Sequence, residues 1–248
     1  MQKYIYLSPH LDDAVLSCGA VIWDQIRRRQ VVEIWTVFAG DPPPGEFSPF
    51  ARTLHERWQT GPEAVETRRK EDALACERLN APYIHLAYPD CIYRTFPGTE
   101  KPVIEKNEDL FQVPFPQEEF PLVEEIACHL KKEISADTMI VVPLGIGNHI
   151  DHQIVRRVGE KLGQPLYYYA DFPYSASIGD QDLATFLPDN AVQHHFPLSN
   201  LALSNWQYGV EAYTSQISTF WSSLSEMYAR IEQYAVSPIG NSLWNRAS

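Results

Sequence analysis

The sequence predicts an α/β fold, a mostly parallel sheet with helices on both faces, in a single domain covering residues 1–248. Three observations predict it. Apolar runs of strand length alternate with helical periodicity from residue 4 to about residue 170, the trace that successive βαβ units leave in a chain. One run, Met139-Ile140-Val141-Val142, is wholly apolar, as a strand covered on both faces must be. With 248 residues, 44% apolar and 21% charged, the chain has ordinary globular composition and enough length for a sizeable core.

Tyr4-Ile5-Tyr6-Leu7 is aromatic and β-branched and reads as the first strand; Ser8 to Asp13 breaks it, and Ala14 to Arg29 has helical spacing. Val31 to Phe38 is the second strand, ended by Gly40-Asp41-Pro42-Pro43-Pro44-Gly45. Residues 40–61 have little periodicity and are expected to form a long loop covering a site. Glu63 to Leu79 is a helix and Tyr83 to Leu86 a third strand. Residues 88–117 are irregular, Glu118 to Glu133 is helical, and the apolar strand 138–142 feeds a polar loop, 144–151, and a helix through Leu162. Leu166 to Ala170 is a further strand, and helices are expected over 201–218 and 219–235. In such a sheet, ligands bind beyond the carboxyl ends of the strands, where both polar loops lie.

Lys and Arg total 20 against 32 Asp and Glu, a formal charge of −12. That balance argues against nucleic acid or an anionic membrane surface as a partner. No run reaches the roughly 18 apolar residues of a membrane span, and the amino terminus leads into a strand rather than a signal-peptide core, so a cytoplasmic protein is expected. Cys18, Cys76, Cys91 and Cys128 form no C-x-x-C pair and are expected to be buried free thiols. Gly19 and Gly40 form no G-x-G-x-x-G loop, which weighs against a nucleotide site, and homo-oligomerisation is left open.

His10, Asp12 and Asp13 place one imidazole and two carboxylates directly after the first strand, and His149, Asp151 and His152 follow the apolar strand in the same way. Imidazole nitrogen and carboxylate oxygen are ordinary ligands of zinc and other divalent first-row metals. A site of His10, Asp13 and His152 has three protein ligands and leaves a position for water, the arrangement of hydrolytic rather than structural zinc. Asp12 is then the spare carboxylate beside that water. The alternative is that Asp12 or Asp13 merely caps the helix from Ala14.

These residues resemble a known family. Ser8-Pro9-His10-Leu11-Asp12-Asp13 resembles the P/A-H-x-D-D motif of the PIG-L/LmbE-like de-N-acetylases, and His149-Ile150-Asp151-His152 their H-x-D-H motif. Arg68-Arg69-Lys70-Glu71 matches their R-x-x-E helix, and Tyr213-Thr214-Ser215-Gln216 is similar to their late H-x-S-Q segment. The resemblance implies a Rossmann-like fold and zinc-dependent removal of acetyl from a small-molecule N-acetylglucosaminyl or related N-acyl amino-sugar conjugate, with another divalent ion such as Fe2+ as the alternative metal. It implies His10, Asp13 and His152 as metal ligands, Asp12 as general base, and His149 as the imidazole that polarises the carbonyl or protonates the leaving amine. Asp151 would orient an imidazole and raise its pKa. Arg68 would reach the substrate or brace the site through Glu71, and Asp90 would meet sugar hydroxyls or shape a turn.

Two positions depart from the pattern. Ala14 stands where the family usually has an acidic residue, and Tyr213 where it has histidine. Neither is a proposed ligand or base, so the expectation is retained chemistry with an altered substrate choice. Hydrolysis of another small amide, and an inactive sugar-binding protein of the same fold, are the competing expectations.

Overall fold

β1 (Lys3–Ser8) takes up an extended conformation because its alternate residues belong to two different cores. Ile5 and Leu7 enter one, Tyr4 and Tyr6 the other. The computed structural model describes residues 2–58 and 60–247; position 59 of the expected loop and positions 1 and 248 of the expected domain lie outside it. α1 (Asp13–Arg27) crosses to β2 (Val31–Thr36), which pairs with β1 in parallel from Lys3 beside Val31 to Ser8 beside Thr36. α2 (Pro49–Arg57) and α3 (Ala64–Leu79) precede β3 (Tyr83–His85), which extends the sheet outward.

The chain then returns to the other side of β1. α4 (Phe120–Glu133) leads to β4 (Met139–Pro143), whose Ile140 lies beside Ile5, and α5 (Ile150–Leu162) leads to β5 (Leu166–Tyr169) beside it. α6 (Asp180–Phe186), β6 (Ala191–His195), α7 (Asn200–Val210), α8 (Thr214–Phe220), α9 (Leu224–Ala235) and β7 (Ser242–Arg246) follow. The sheet order is β3-β2-β1-β4-β5-β7-β6, with β7 antiparallel to both neighbours and the other pairs parallel. Residues of α4 and α5 close one face, and residues of α1, α3, α7 and α9 the other. The strand order reverses between β1 and β4, so their carboxyl ends open a crevice.

The expected α/β fold with a mostly parallel sheet is the observed one, with local differences. The 40–61 loop contains α2, started by Ser48, whose hydroxyl accepts from Ala51 N, and by Pro49 in the first turn; Ala51 and Leu54 are buried. The expected 201–218 helix is two, because the chain turns at residues 211–213 to bury Tyr213, and α9 starts only after its cap, Ser223. β6 and β7 were not expected: β6 is a largely solvated edge strand with a polar sequence. Cys128 is exposed, unlike the other three thiols. No helix among the described residues is long and apolar enough to cross a membrane.

α1 and α7 approach closely at Gly19, where a Cβ would overlap the Trp206 indole. That indole cannot easily move, because it is fully buried and its Nε1 donates to the Val15 carbonyl at 2.8 Å. Gly19→Ala is therefore expected to destabilise the protein by about 1–3 kcal/mol, the usual scale of overpacking. The denaturant midpoint checks it, and an unchanged midpoint contradicts this packing.

Candidate active site

The first loop is built so that its carboxylates are not spent on capping. Ser8 Oγ accepts from Ala14 N at 3.0 Å and donates to the His10 carbonyl at 2.7 Å, so serine satisfies the start of α1. Asp13 Oδ2 accepts from His10 N at 2.8 Å, closing the loop on itself, and the Asp12 side chain makes no capping hydrogen bond. The capping alternative thus fails for Asp12, which faces the crevice.

The second loop reverses sharply after β4. Gly145, Gly147 and Asn148 all have positive φ, which glycine and asparagine tolerate best, and Asn148 N donates to the Gly145 carbonyl at 2.9 Å. The turn delivers His149 to the N-cap of α5, where its Nδ1 accepts from Asp151 N at 3.3 Å. His152 follows in the first turn of α5.

The expected metal ligands converge. Asp13 Oδ2 lies 3.1 Å from His10 Nδ1 and 3.4 Å from His152 Nε2. The far nitrogen of each imidazole is anchored on a carboxylate: His10 Nε2 lies 3.1 Å from Asp151 Oδ2 and His152 Nδ1 2.6 Å from Asp171 Oδ1. Such anchoring fixes ring orientation and tautomer and leaves the near nitrogens as donors. Both anchors are themselves held. Asp151 pairs with Arg94 at 2.8 Å and accepts from Cys91 N at 3.0 Å, and Asp171 Oδ2 accepts from Ile146 N at 2.9 Å. One oxygen donor and two nitrogen donors suit a divalent first-row ion. His149 offers a second, overlapping set, since ligand atoms of His10, His149 and His152 lie within 4.8 Å of one another.

Electrostatics point the same way. Asp12, Asp13, Asp90, Asp151 and Asp171 crowd the crevice, and the buried guanidinium groups that face them are Arg68 and Arg94, the latter shared with Glu119. Burial opposes charge on His10, yet Asp90, Asp13 and Asp151 overcome it and raise its pKa well above the usual imidazole value. His152 is likewise raised, burial being outweighed by Asp13 and Asp171. Asp12 is pushed up to about 7, chiefly by burial and then by Asp13, with Arg68 and His10 opposing. A cluster that draws protons onto its imidazoles is short of positive charge, which a divalent cation supplies.

His149 differs from expectation. The Asp151 carboxylate turns to His10 and Arg94, and only the Asp151 backbone N–H reaches His149. Burial, and then His10 and His152, hold the His149 pKa well below the usual value. A neutral ring whose Nδ1 accepts from the backbone carries its proton on Nε2, so His149 is a neutral donor, not the imidazolium expected from Asp151.

The surrounding cavity is about 220 Å³. Arg68 lies 3.6 Å from Asp12 and 3.9 Å from Asp90, with its guanidinium 5.0 Å from the Trp58 ring centroid. It does not work through Glu71, which turns instead to Thr214 and Ser215. Asp90 shapes the turn expected of it, Oδ1 accepting from Ile92 N, while Oδ2 faces Arg68 and His10. Leu54, Trp58, Ile92, Phe111, Tyr174 and Phe220 supply apolar wall. Of the aromatic run 167–174, Tyr168, Tyr169 and Phe172 are core. Asp171 and Arg94 were not singled out from the sequence, where neither carries a mark of its role.

An open α/β sheet with His/Asp loops at its switch point suits a metal-dependent hydrolase. Residues 5–162 match the family described as GlcNAc-PI de-N-acetylase (PIG-L). The chain is 30% identical over 188 residues to a 2'-N-acetylparomamine deacetylase of Niallia circulans, covering 70% of this chain and 68% of that one. A zinc-inhibited form of teicoplanin deacetylase superposes with a TM-score of 0.82 at 27% identity, covering 98% of this chain and 97% of that one. A deacetylase–teicoplanin complex from the teicoplanin biosynthesis pathway gives 0.80 at the same identity and coverage. The chain belongs to the PIG-L de-N-acetylase family and is a deacetylase of that hydrolase group.

If Asp171 orients a ligand, Asp171→Ala should weaken divalent metal binding by about 10- to 100-fold, the usual cost of losing such a partner. Competition with a chelator of known affinity checks it; unchanged affinity removes Asp171 from this role.

Proposed function

We propose that this crevice hydrolyses the acetamide of an N-acetylglucosaminyl conjugate, releasing acetate and the free amine. The carrying observation is the paired anchoring of His10 on Asp151 and of His152 on Asp171, which turns both near nitrogens toward Asp13. His10, Asp13 and His152 hold the ion, and zinc is the metal proposed. Bound there, a divalent ion supplies Lewis acidity to the amide carbonyl and to water.

The chain's own groups do the rest. Asp12, buried and kept out of the cap, accepts the proton of the attacking water and passes it to the departing nitrogen. Burial strengthens this carboxylate as a base, while Arg68 and a bound ion would favour its charged form. His149 donates from Nε2 to the acyl oxygen as negative charge develops there, and as a neutral donor it need not lose a proton first. Arg68 holds Asp12 and Asp90 toward the cavity. The apolar wall suits a bulky aglycone, in keeping with relatives named for deacetylating paromamine and teicoplanin compounds.

Asp12→Asn should retain metal while acetate release falls by about 10²- to 10⁴-fold. Near-normal turnover with metal bound contradicts the base assignment. His149→Ala should also retain metal, with kcat lower by about 10²- to 10³-fold, the scale of one lost oxyanion donor. If metal content falls in step with activity, His149 belongs to the ligand set instead.

A further inference from the structure

Two motifs have no reacting role in this mechanism, Glu71 on α3 and Thr214-Ser215-Gln216 at the start of α8, and they meet in space. Glu71 accepts from Thr214 Oγ1 at 2.6 Å, from Ser215 N at 2.8 Å and from Ser215 Oγ at 2.6 Å. Three hydrogen bonds to one carboxylate, which is 7% exposed, fix where α8 begins. Gln216 is next, 4% exposed on the cavity wall, and its Nε2 donates to Ser215 Oγ at 2.9 Å. The carboxamide is therefore oriented by Glu71 through Ser215.

Thr219 lies three residues further and lines the same cavity, as neighbours at that spacing on a helix do. Its Oγ1 is buried without a hydrogen-bond partner, although a helical threonine often bonds the carbonyl four residues back. Arg68, 8% exposed, also lines the cavity and has its Nε buried without a partner. Gln216 Oε1 makes no hydrogen bond among the described residues. Buried polar groups are normally satisfied, so Arg68 Nε and Thr219 Oγ1, unpaired beside the free Gln216 Oε1 around one cavity, point to a ligand that pairs with them.

The chemistry of the wall selects that ligand. Asp12 and Asp90 disfavour an anion, Arg68 disfavours a cation, and a mixture of donors and acceptors fits groups that both donate and accept. We propose that Gln216 and Thr219, together with Arg68, bind hydroxyl groups of the sugar ring, and that Glu71 is the positioning residue that holds Gln216 for this task. The inference deepens the deacetylase reading and rests on it for the class of ligand.

The test uses metal-loaded protein and octyl 2-acetamido-2-deoxy-β-glucopyranoside with its 3-, 4- and 6-deoxy analogues. Thr219→Val and Gln216→Met should each lower kcat/KM about 3- to 10-fold on the parent, the scale of one neutral hydrogen bond. Each should lose nothing further on the one analogue that lacks its hydroxyl. Glu71→Gln should reproduce the Gln216→Met pattern, mainly in KM, which a merely structural role would not do. Equal losses on every analogue, or none on the parent, overturn the subsite. Binding of octyl β-glucoside, which has no acetamide, is followed by calorimetry as a separate arm. Wild-type protein that binds it more tightly than the variants but releases no acetate from the N-acetyl parent keeps the subsite and overturns the deacetylase reading. Equal binding by wild type and variants overturns the subsite alone.

Discussion

The crevice gathers Asp12, Asp13, Asp90, Asp151 and Asp171 at the carboxyl edge of β1 and β4 with two buried guanidinium groups to face them. Two like charges about 4 Å apart repel by roughly 4 kcal/mol at an effective dielectric of about 20, so that concentration must be balanced. The structure answers by dividing the carboxylates between tasks. Asp151 and Asp171 are turned away from the cavity and held by Arg94 and by backbone N–H groups. Asp13 is committed to the two imidazoles, and Asp12 and Asp90 share Arg68. What remains is a deficit of positive charge centred on Asp13, His10 and His152, where a divalent ion does most good.

The same division accounts for what was legible in the sequence. Ionisable residues immediately after apolar strands are costly without a purpose, and parallel pairing of β1 with β4 makes their two loops neighbours, so His10, Asp12, Asp13, His149 and His152 were readable. Groups that act through another residue carry no such mark. Asp171 follows an aromatic run and precedes Phe172-Pro173, where an aspartate reads as a turn, and Arg94 sits alone in an irregular stretch. The role of Asp151 depended on whether its carboxylate or its backbone met His149, which spacing does not decide.

Misread parts of the fold have equally local causes. Ser48-Pro49 is a good helix start, but the prolines and glycine before it dominate the segment and hide α2. β6 is a largely solvated edge strand that needs no apolar run, and β7 inside it offers only Leu243-Trp244 between polar residues, too short a run to read as a strand.

The two departures from the family pattern fall outside the reacting groups for a structural reason. Ala14 is fully buried among the α1 and α7 core residues, and its N–H is taken by Ser8 Oγ, so a carboxylate there would add charge to an already crowded edge. Tyr213 is buried with its hydroxyl donating to Asp72 Oδ1 at 2.7 Å, while Asp72 Oδ2 lies 2.8 Å from His85 Nε2 and accepts from Thr36 at 3.3 Å. An imidazole at position 213 could also donate to Asp72, but its shorter reach would draw the start of α8 toward α3. Asp72 and Glu71 are successive residues of α3, and Tyr213 and Ser215 are their partners at the start of α8. A change at position 213 therefore acts on the placement of Gln216 and Thr219 before it acts on the bond being broken. Under the proposed subsite, the exchange at position 213 bears on which sugar is held and leaves Asp12, Asp13, His10 and His152 untouched.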